Sequence, residues 1–168
     1  MLTVARKMRQ LHFGQLMEVY QEGNRENGED FFPQLTPAEQ MIRAEQEFYT
    51  YLTECFFGQN GAAYYIWSEK GHYVSALRLE HYQDGLLLEA LETHPDHRGR
   101  GYAKKLIRAA LEKVDCQKVY VHISRRNAAS IAAHTACGFR KILDYSVCAD
   151  GSLMRNMDTW LYEKATLD

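Results

Sequence analysis

The segment Leu91-Glu-Thr-His-Pro-Asp-His-Arg-Gly-Arg-Gly-Tyr-Ala103 constrains the fold more than any other stretch of this chain. A hydrophobic run leads up to Thr93, Pro95 interrupts it, and a periodic apolar pattern starts at Ala103. The chain therefore passes from a strand through a tight turn into a helix. Gly99 and Gly101 remove side chains where backbone N–H groups emerge at the helix N-terminus. Those unpaired donors, with the positive end of the helix dipole, suit a phosphate or pyrophosphate. Arg98 and Arg100 add mobile positive charge beside them. A Walker loop is absent, and the dinucleotide fingerprint fails because Lys104 stands where a third glycine or alanine is required.

The helix after the turn carries Ala103, Leu106, Ile107, Ala110, Leu111 and Val114 on one face, with Lys104, Lys105, Arg108, Glu112 and Lys113 opposite. Upstream, residues 62–67, 73–80 and 86–93 read as strands of an antiparallel meander, punctuated by Lys70-Gly71 and Asp84-Gly85. Residues 119–124 alternate as a further strand, a short helix runs from Asn127 to Gly138, and 139–147 with 156–164 form a closing hairpin around Asp150-Gly151. At the N-terminal end a helix covers 11–20, the polar and acidic residues 22–30 read as a loop, and a second helix begins at Thr36. Thr36, Pro37 and Glu39 make a capping box with proline at the first helical position, and Gly58 is the stop. The order α-α-β-β-β-α-β-α-β-β places a strand–helix–strand unit inside an otherwise antiparallel sheet, a mixed α/β (α+β) sandwich. No repeat or linker divides it, so residues 1–168 read as one domain.

Composition narrows the function. Hydrophobic residues are 46% and charged residues 25% of the chain, the balance of a globular domain. A net charge of -2 argues against a duplex nucleic-acid binder. No apolar run is long enough to span a bilayer, and residues 1–10 lack the apolar core of a secretion signal, so the expectation is a cytoplasmic protein without a membrane partner. Cys55, Cys116, Cys137 and Cys148 form no C-x-x-C pair and stand at no zinc spacing, which predicts reduced thiols and no metal site.

The spacing Arg98-x-x-Gly101-x-Ala103 resembles the Q/R-x-x-G-x-G/A signature of the GNAT superfamily of N-acetyltransferases. One helix and one strand later, Asn127-Ala-Ala-Ser130-Ile131-Ala-Ala-His134-Thr-Ala-Cys-Gly138-Phe139 resembles that family's N-x-x-A/S-I-x-x-Y-x-x-x-G-F signature. The resemblance is close over residues 86–139. It implies a mostly antiparallel, splayed sheet flanked by helices, acetyl-CoA as donor, and direct transfer to an amine without a covalent intermediate. It also implies that the backbone of Arg98, Gly99, Arg100, Gly101, Tyr102 and Ala103 holds the pyrophosphate. Thr93, next to Glu92, would pair with the pantetheine arm, and the Leu91 amide would face the thioester carbonyl. Asn127, Ser130 and His134 would meet the cofactor from across the gap.

Amine acetylation needs a base for the acceptor, a donor for the oxyanion and a proton for the leaving thiolate. His134 replaces the tyrosine that donates that proton in many relatives. It either acts as the acid or only packs near the cofactor. The candidate bases are His122, where some relatives carry a glutamate, and Glu89 and Glu92, charged residues within an apolar strand. Glu22, Glu26, Glu29 and Asp30 could attract a cationic acceptor, and Tyr145, Phe31 and Phe32 could wall its pocket. The acceptor is a small-molecule or peptide amine, and the closing hairpin offers an edge for a homodimer. Two rival readings are a fold that binds acyl-CoA without catalysis and a nucleic-acid surface built from Arg98, Arg100, Lys104, Lys105 and Arg108.

Overall fold

Periodicity sorts the chain into the expected layers. The computed structural model describes residues 1–165. Its elements are β1 (Leu2–Ala5), α1 (Phe13–Val19), α2 (Gln21–Phe31), α3 (Pro37–Glu54), β2 (Ala63–Glu69), β3 (His72–Tyr82), β4 (Gly85–Thr93) and α4 (Tyr102–Lys113), then β5 (Lys118–Ser124), α5 (Ala128–Thr135), β6 (Arg140–Leu143), β7 (Ser146–Val147), β8 (Leu153–Met154) and β9 (Met157–Glu163). The main sheet has the order β1-β2-β3-β4-β5-β9-β6. Its pairings are antiparallel except β4 with β5, which are parallel across the α4 crossover.

Each face of the sheet has its own core. On one, α4 buries Leu106, Ile107, Ala110 and Leu111 against Tyr65, Leu77, Leu79, Leu88 and Val121. On the other, Leu16, Val19, Leu52 and Phe56 close over Tyr64, Ile66 and Ala76. Each such large side chain contributes about 1.5–3 kcal/mol by leaving water. Thr36 and Glu39 make the expected reciprocal cap of α3, with Thr36 N–H donating to Glu39 Oε2 at 2.9 Å and Glu39 N–H to Thr36 Oγ1 at 3.4 Å.

Three expectations need correction. Residues 22–30 are not a loop: they form most of α2. Its buried side is polar and small, Asn24 and Gly28, so no apolar stripe announces it. A Cβ at Gly28 would come within 2.9 Å of the Gln40 carbonyl, so glycine is what lets α2 lie directly on α3. The chain also begins with a strand, β1, too short to show alternation, which pairs Leu2 to Ala5 with Trp67 to Tyr64. Finally, the closing hairpin is divided. β6 and β9 pair in the main sheet, while β7 and β8 make a separate two-stranded ribbon.

The feature that positions the site is the short β4–β5 ladder. It has the rungs Leu86–Val119, Leu87–Tyr120 and Leu88–Val121. Beyond Leu88, β4 follows β3 as far as Thr93, and beyond Val121, β5 follows β9 as far as Ser124. The two strands splay, and a V opens between them. Among the described residues no helix is long and apolar enough to cross a membrane.

Candidate active site

The β4 side of the V is bulged. Ala76 pairs with Glu92 and Arg78 with Glu89, so Ala90 and Leu91 share the single opposing residue Leu77. Ala90 sits at φ +49°, a left-handed conformation that an alanine holds only when its surroundings impose it. The imposing contact comes from the helices. Tyr20, at the α1–α2 junction, donates its hydroxyl to the Ala90 carbonyl at 2.5 Å. Burial, reinforced by the neighbouring Tyr64 phenol, pushes the Tyr20 hydroxyl well above the usual phenol range, so it remains a donor. With the β5 ladder ended, the backbone of Leu91 to Thr93 is left facing the cleft.

That cleft, about 560 Å³, is lined by Leu91, Glu92 and Thr93 on one side and by Asn127, Ser130 and Ala133 on the other. At its head lie Arg98, Gly99, Gly101, Tyr102, Ala103 and Lys104. Gly99 (φ +73°) and Gly101 (φ +79°) are left-handed, and a Cβ on either would project into open space rather than into the fold. Gly101 caps α4, so the free N–H groups of the first turn face the cleft end. This cradle could hold a pyrophosphate without a side chain in the way.

Arg98 is bound more firmly than the sequence suggests. Its guanidinium meets Glu22 of α2 at 2.5 Å and Glu92 at 3.6 Å, and its Nε donates to the Thr93 carbonyl at 3.2 Å. Burial pushes the Glu92 carboxyl above its ordinary range, Arg98 opposes the push, and Glu22 and Glu26 add to it. Three carboxylates therefore converge where β4 meets α2. Of the remaining basic residues, Lys104, Lys105 and Arg108 line one surface groove with Trp67 and Glu112. Lys105 lies over Trp67 at 4.4 Å and meets Glu69 at 3.8 Å, and Arg108 donates to the Ala136 carbonyl.

The catalytic candidates separate in space. His122 and Glu89 stand on the sheet face covered by α1–α3, at the narrow end of the V, and neither is among the residues lining the cleft. Burial holds the His122 ring below the usual histidine value, and the Glu89 charge pulls it partway back. Arg78 Nε lies 3.3 Å from Glu89 Oε2. His134 is placed differently. Its ring is buried, sits edge-on to Phe139 at 5.1 Å, and is not among the residues lining the cleft. Its Nδ1 lies 2.8 Å from the Ser130 carbonyl, and burial holds it below the usual histidine value. Its Nδ1 is held within α5, and its Nε2, like that of His122, is buried without a hydrogen-bond partner among the described residues. Asn127 caps α5 by accepting from Ser130 N–H at 3.0 Å. Phe31 and Phe32 line a second groove, about 610 Å³, with Phe48, Tyr51 and Arg78, while Tyr145 is not part of either lining.

Sequence reasoning missed Tyr20, Arg78 and the bulge. The positions of glycines and histidines carry no signal for a cross-strand register shift. Among the described residues no three His, Cys, Asp or Glu side chains gather as a metal site, and the four cysteines are free thiols.

A mixed sheet splayed beside a glycine turn at a helix head is the framework of the acetyltransferase fold. The Acetyltransferase (GNAT) family matches residues 20–139, and the chain belongs to that family. Similar solved structures agree over nearly the whole chain. The ribosomal-protein-S18-alanine N-acetyltransferase of Escherichia coli is 16% identical at a TM-score of 0.62, covering 100% of this chain and 97% of its own. The spermidine N-acetyltransferase of Vibrio cholerae, in complex with CoA and spermine, is 17% identical at 0.62, covering 96% and 95%. The PaiA N-acetyltransferase of Thermoplasma acidophilum, in complex with coenzyme A, is 12% identical at 0.60, covering 98% and 99%. At these identities the likeness establishes the fold. No match was found among curated proteins.

Proposed function

We propose that the protein is an acetyl-CoA-dependent N-acetyltransferase that acetylates a primary amine by direct transfer in a ternary complex. The observation that carries this reading is the open V, with free bulged backbone on one wall and the Gly99–Gly101 cradle at its head. The cradle takes the pyrophosphate, and the backbone of Leu91 to Thr93 offers strand-like partners to the pantetheine amides. The Leu91 amide is placed to donate to the thioester oxygen as it becomes an oxyanion.

The acceptor enters from the α2 side, where Glu22, Glu26 and Glu92 favour a cation. The similar structures include an N-acetyltransferase of a ribosomal protein's alanine and a spermidine N-acetyltransferase bound to CoA and spermine, and a small polyamine or a peptide amine fits the same charge here. A protonated amine (pKa about 10) must give up a proton before attack. His122, neutral at pH 7, is the assigned base, with Glu92 as the alternative. The thiolate leaving group, with a thiol pKa of about 8.5, is reprotonated from solvent. Dependence on acetyl-CoA is consistent with a cytoplasmic site of action.

Calorimetry with acetyl-CoA tests the donor site. Gly101→Asp puts a like charge against the pyrophosphate and should weaken binding at least about tenfold, 1.4 kcal/mol. A folded variant of unchanged affinity would refute the donor assignment. Steady-state release of CoA thiol with a panel of polyamines and N-terminal peptides tests transfer. Tight acetyl-CoA binding without turnover on any amine would leave the non-catalytic binding module.

A further inference from the structure

Polar groups left over from this account gather at the apex of the V. Alternation puts Arg78, Glu80 and Tyr82 of β3 on one face with Glu89 of β4 and His122 of β5. Arg78 and Glu89 are direct cross-strand partners, and Glu80 faces Leu87, one diagonal step from Glu89. The Arg78 guanidinium is held over the Tyr51 ring at 4.8 Å and the Phe56 ring at 5.6 Å, so it cannot swing away from the pair. The Glu80 carboxyl, with one oxygen buried and unpartnered, shares this face with the Glu89 carboxyl one diagonal step away. Like charges so placed on a buried face do not both ionise readily, so one of the two carboxyls carries a proton. Arg78 lies against Glu89, so the proton belongs on Glu80.

Burial first, and the Glu89 charge second, push the Glu80 carboxyl up to about 7, in agreement with that assignment. The other groups facing the cluster are Tyr51 and Cys55 from the end of α3, Tyr64 from β2, and Tyr82 and Tyr120 from β3 and β5. Burial pushes Tyr51, Tyr64 and Tyr82 above the usual phenol value and Tyr120 up to about 12, so these phenols carry no charge at neutral pH. Tyr82 also stands edge-on to the His122 ring at 5.4 Å. Two of the five buried side-chain atoms that lack a hydrogen-bond partner among the described residues belong to this cluster: Glu80 Oε2 and His122 Nε2. His122 Nε2 is thus committed to no partner within the protein.

Resting on the acetyl-transfer reading above, we propose that Glu80 and Glu89 hold one proton between them and that this pair positions and charge-balances His122 as the group receiving the acceptor's proton. The ammonium gives one proton to His122 Nε2, the freed amine nitrogen forms its bond to the thioester carbon, and its second proton leaves to solvent. The carbon–sulfur bond then breaks, CoA leaves as thiolate and takes a proton from solvent, and His122 releases its own proton to solvent. The imidazolium formed in between stands beside the Glu89 charge. Glu80, in its acid form, holds Glu89 in place without adding a second negative charge. Glu80 is thus a positioning residue, acting through Glu89 and His122.

The test is an NMR titration of the His122 ring in the full-length protein without any acetyl donor. In the wild type the ring signals should shift in two steps, one as the ring protonates below its ordinary value and one as Glu80 ionises near pH 7 beside it. Glu80→Gln, which keeps a donor to Glu89, should give a single step, and Glu89→Gln should lower the midpoint. In turnover assays at pH 7, Glu80→Gln should keep kcat/KM at least about tenfold above Glu80→Leu. An unchanged His122 titration in Glu80→Gln would overturn the proposal, as would equal activity losses in the Gln and Leu variants. If Glu80→Leu does not fold, the titration of Glu80→Gln alone decides. The titration involves no substrate, so its outcome is separate from the CoA-release assay that tests acetyl transfer itself.

Discussion

Glu89 and His122 are the first residues of β4 and β5 beyond the last rung of their parallel ladder, Leu88–Val121. They mark the point where the sheet stops being a sheet, and they share a face. That register places a carboxylate and an imidazole side by side at the apex of the V.

The acid limb of the rate profile should belong to His122. Burial holds its ring below the ordinary value, so kcat/KM should stay level down to about pH 6.5 and fall only below it. His122→Ala should flatten that limb and lower the rate about 100-fold. If the limb survives in His122→Ala and disappears in Glu92→Gln, the base is Glu92.

Tyr20→Phe tests the bulge. The change leaves the Ala90 carbonyl without its 2.5 Å donor, at a cost of about 1–3 kcal/mol in unfolding free energy, measured with urea. Because the bulge aims the Leu91 amide, kcat should fall while the affinity for acetyl-CoA, set mainly at Gly99 and Gly101, changes little. A variant that loses stability but keeps kcat would show that the bulge holds without Tyr20.

The two ends of the Arg98 network should separate kinetically. Glu22 and Arg98 are both partly exposed, so breaking their pair should cost at most about 1 kcal/mol of stability. Arg98→Ala should raise KM for acetyl-CoA, and Glu22→Gln should raise KM for a cationic amine while leaving that for acetyl-CoA unchanged. Equal effects of Glu22→Gln on both substrates would remove the acidic residues from acceptor recognition.

Two buried groups should tilt stability in opposite directions with pH. Glu80 has a folded value near 7 against an ordinary 4.5. The stability tied to its protonated form is therefore complete below about 4.5 and lost as pH rises through 7. Glu80→Gln does not suffer that loss and should exceed the wild type by about 1–2 kcal/mol at pH 8, after allowance for solvent screening, with no gain at pH 4. His134 is held below its ordinary value, so its contribution is present above about 6.5 and lost as pH falls. His134→Leu should remove that acid-side loss, read as urea midpoints at pH 5 and 8. It should also turn over substrate, since the ring does not reach the cleft.

Much of this was legible because the relevant signals are local. The glycine turn, the stripe of α4 and the Thr36–Glu39 box each lie within a few residues of sequence, and each reports a local backbone requirement. What escaped is relational. The fold of α2 depends on Gln40 lying against Gly28, and the bulge depends on a register offset between β3 and β4. The second signature places His134 on α5 but does not say which way its ring turns, and packing against Phe139 decides that. Glu80 looked like an ordinary polar position of a strand until Glu89 and Arg78 were beside it.

Three rungs are all that couple β4 to β5 as neighbouring strands. On one side, β1 to β4 are stitched along their lengths, and on the other, β5, β9 and β6 form a second panel. A seam that brief leaves the two panels free to diverge beyond it, although one buried core runs beneath both. A small rotation about Leu86–Leu88 widens the far end of the V, near Thr93 and Asn127, much more than the apex at Glu89 and His122. The long donor can then be threaded in and its spent thiol let out while the groups that handle the proton keep their spacing. The geometry separates the part that must flex from the part that must not.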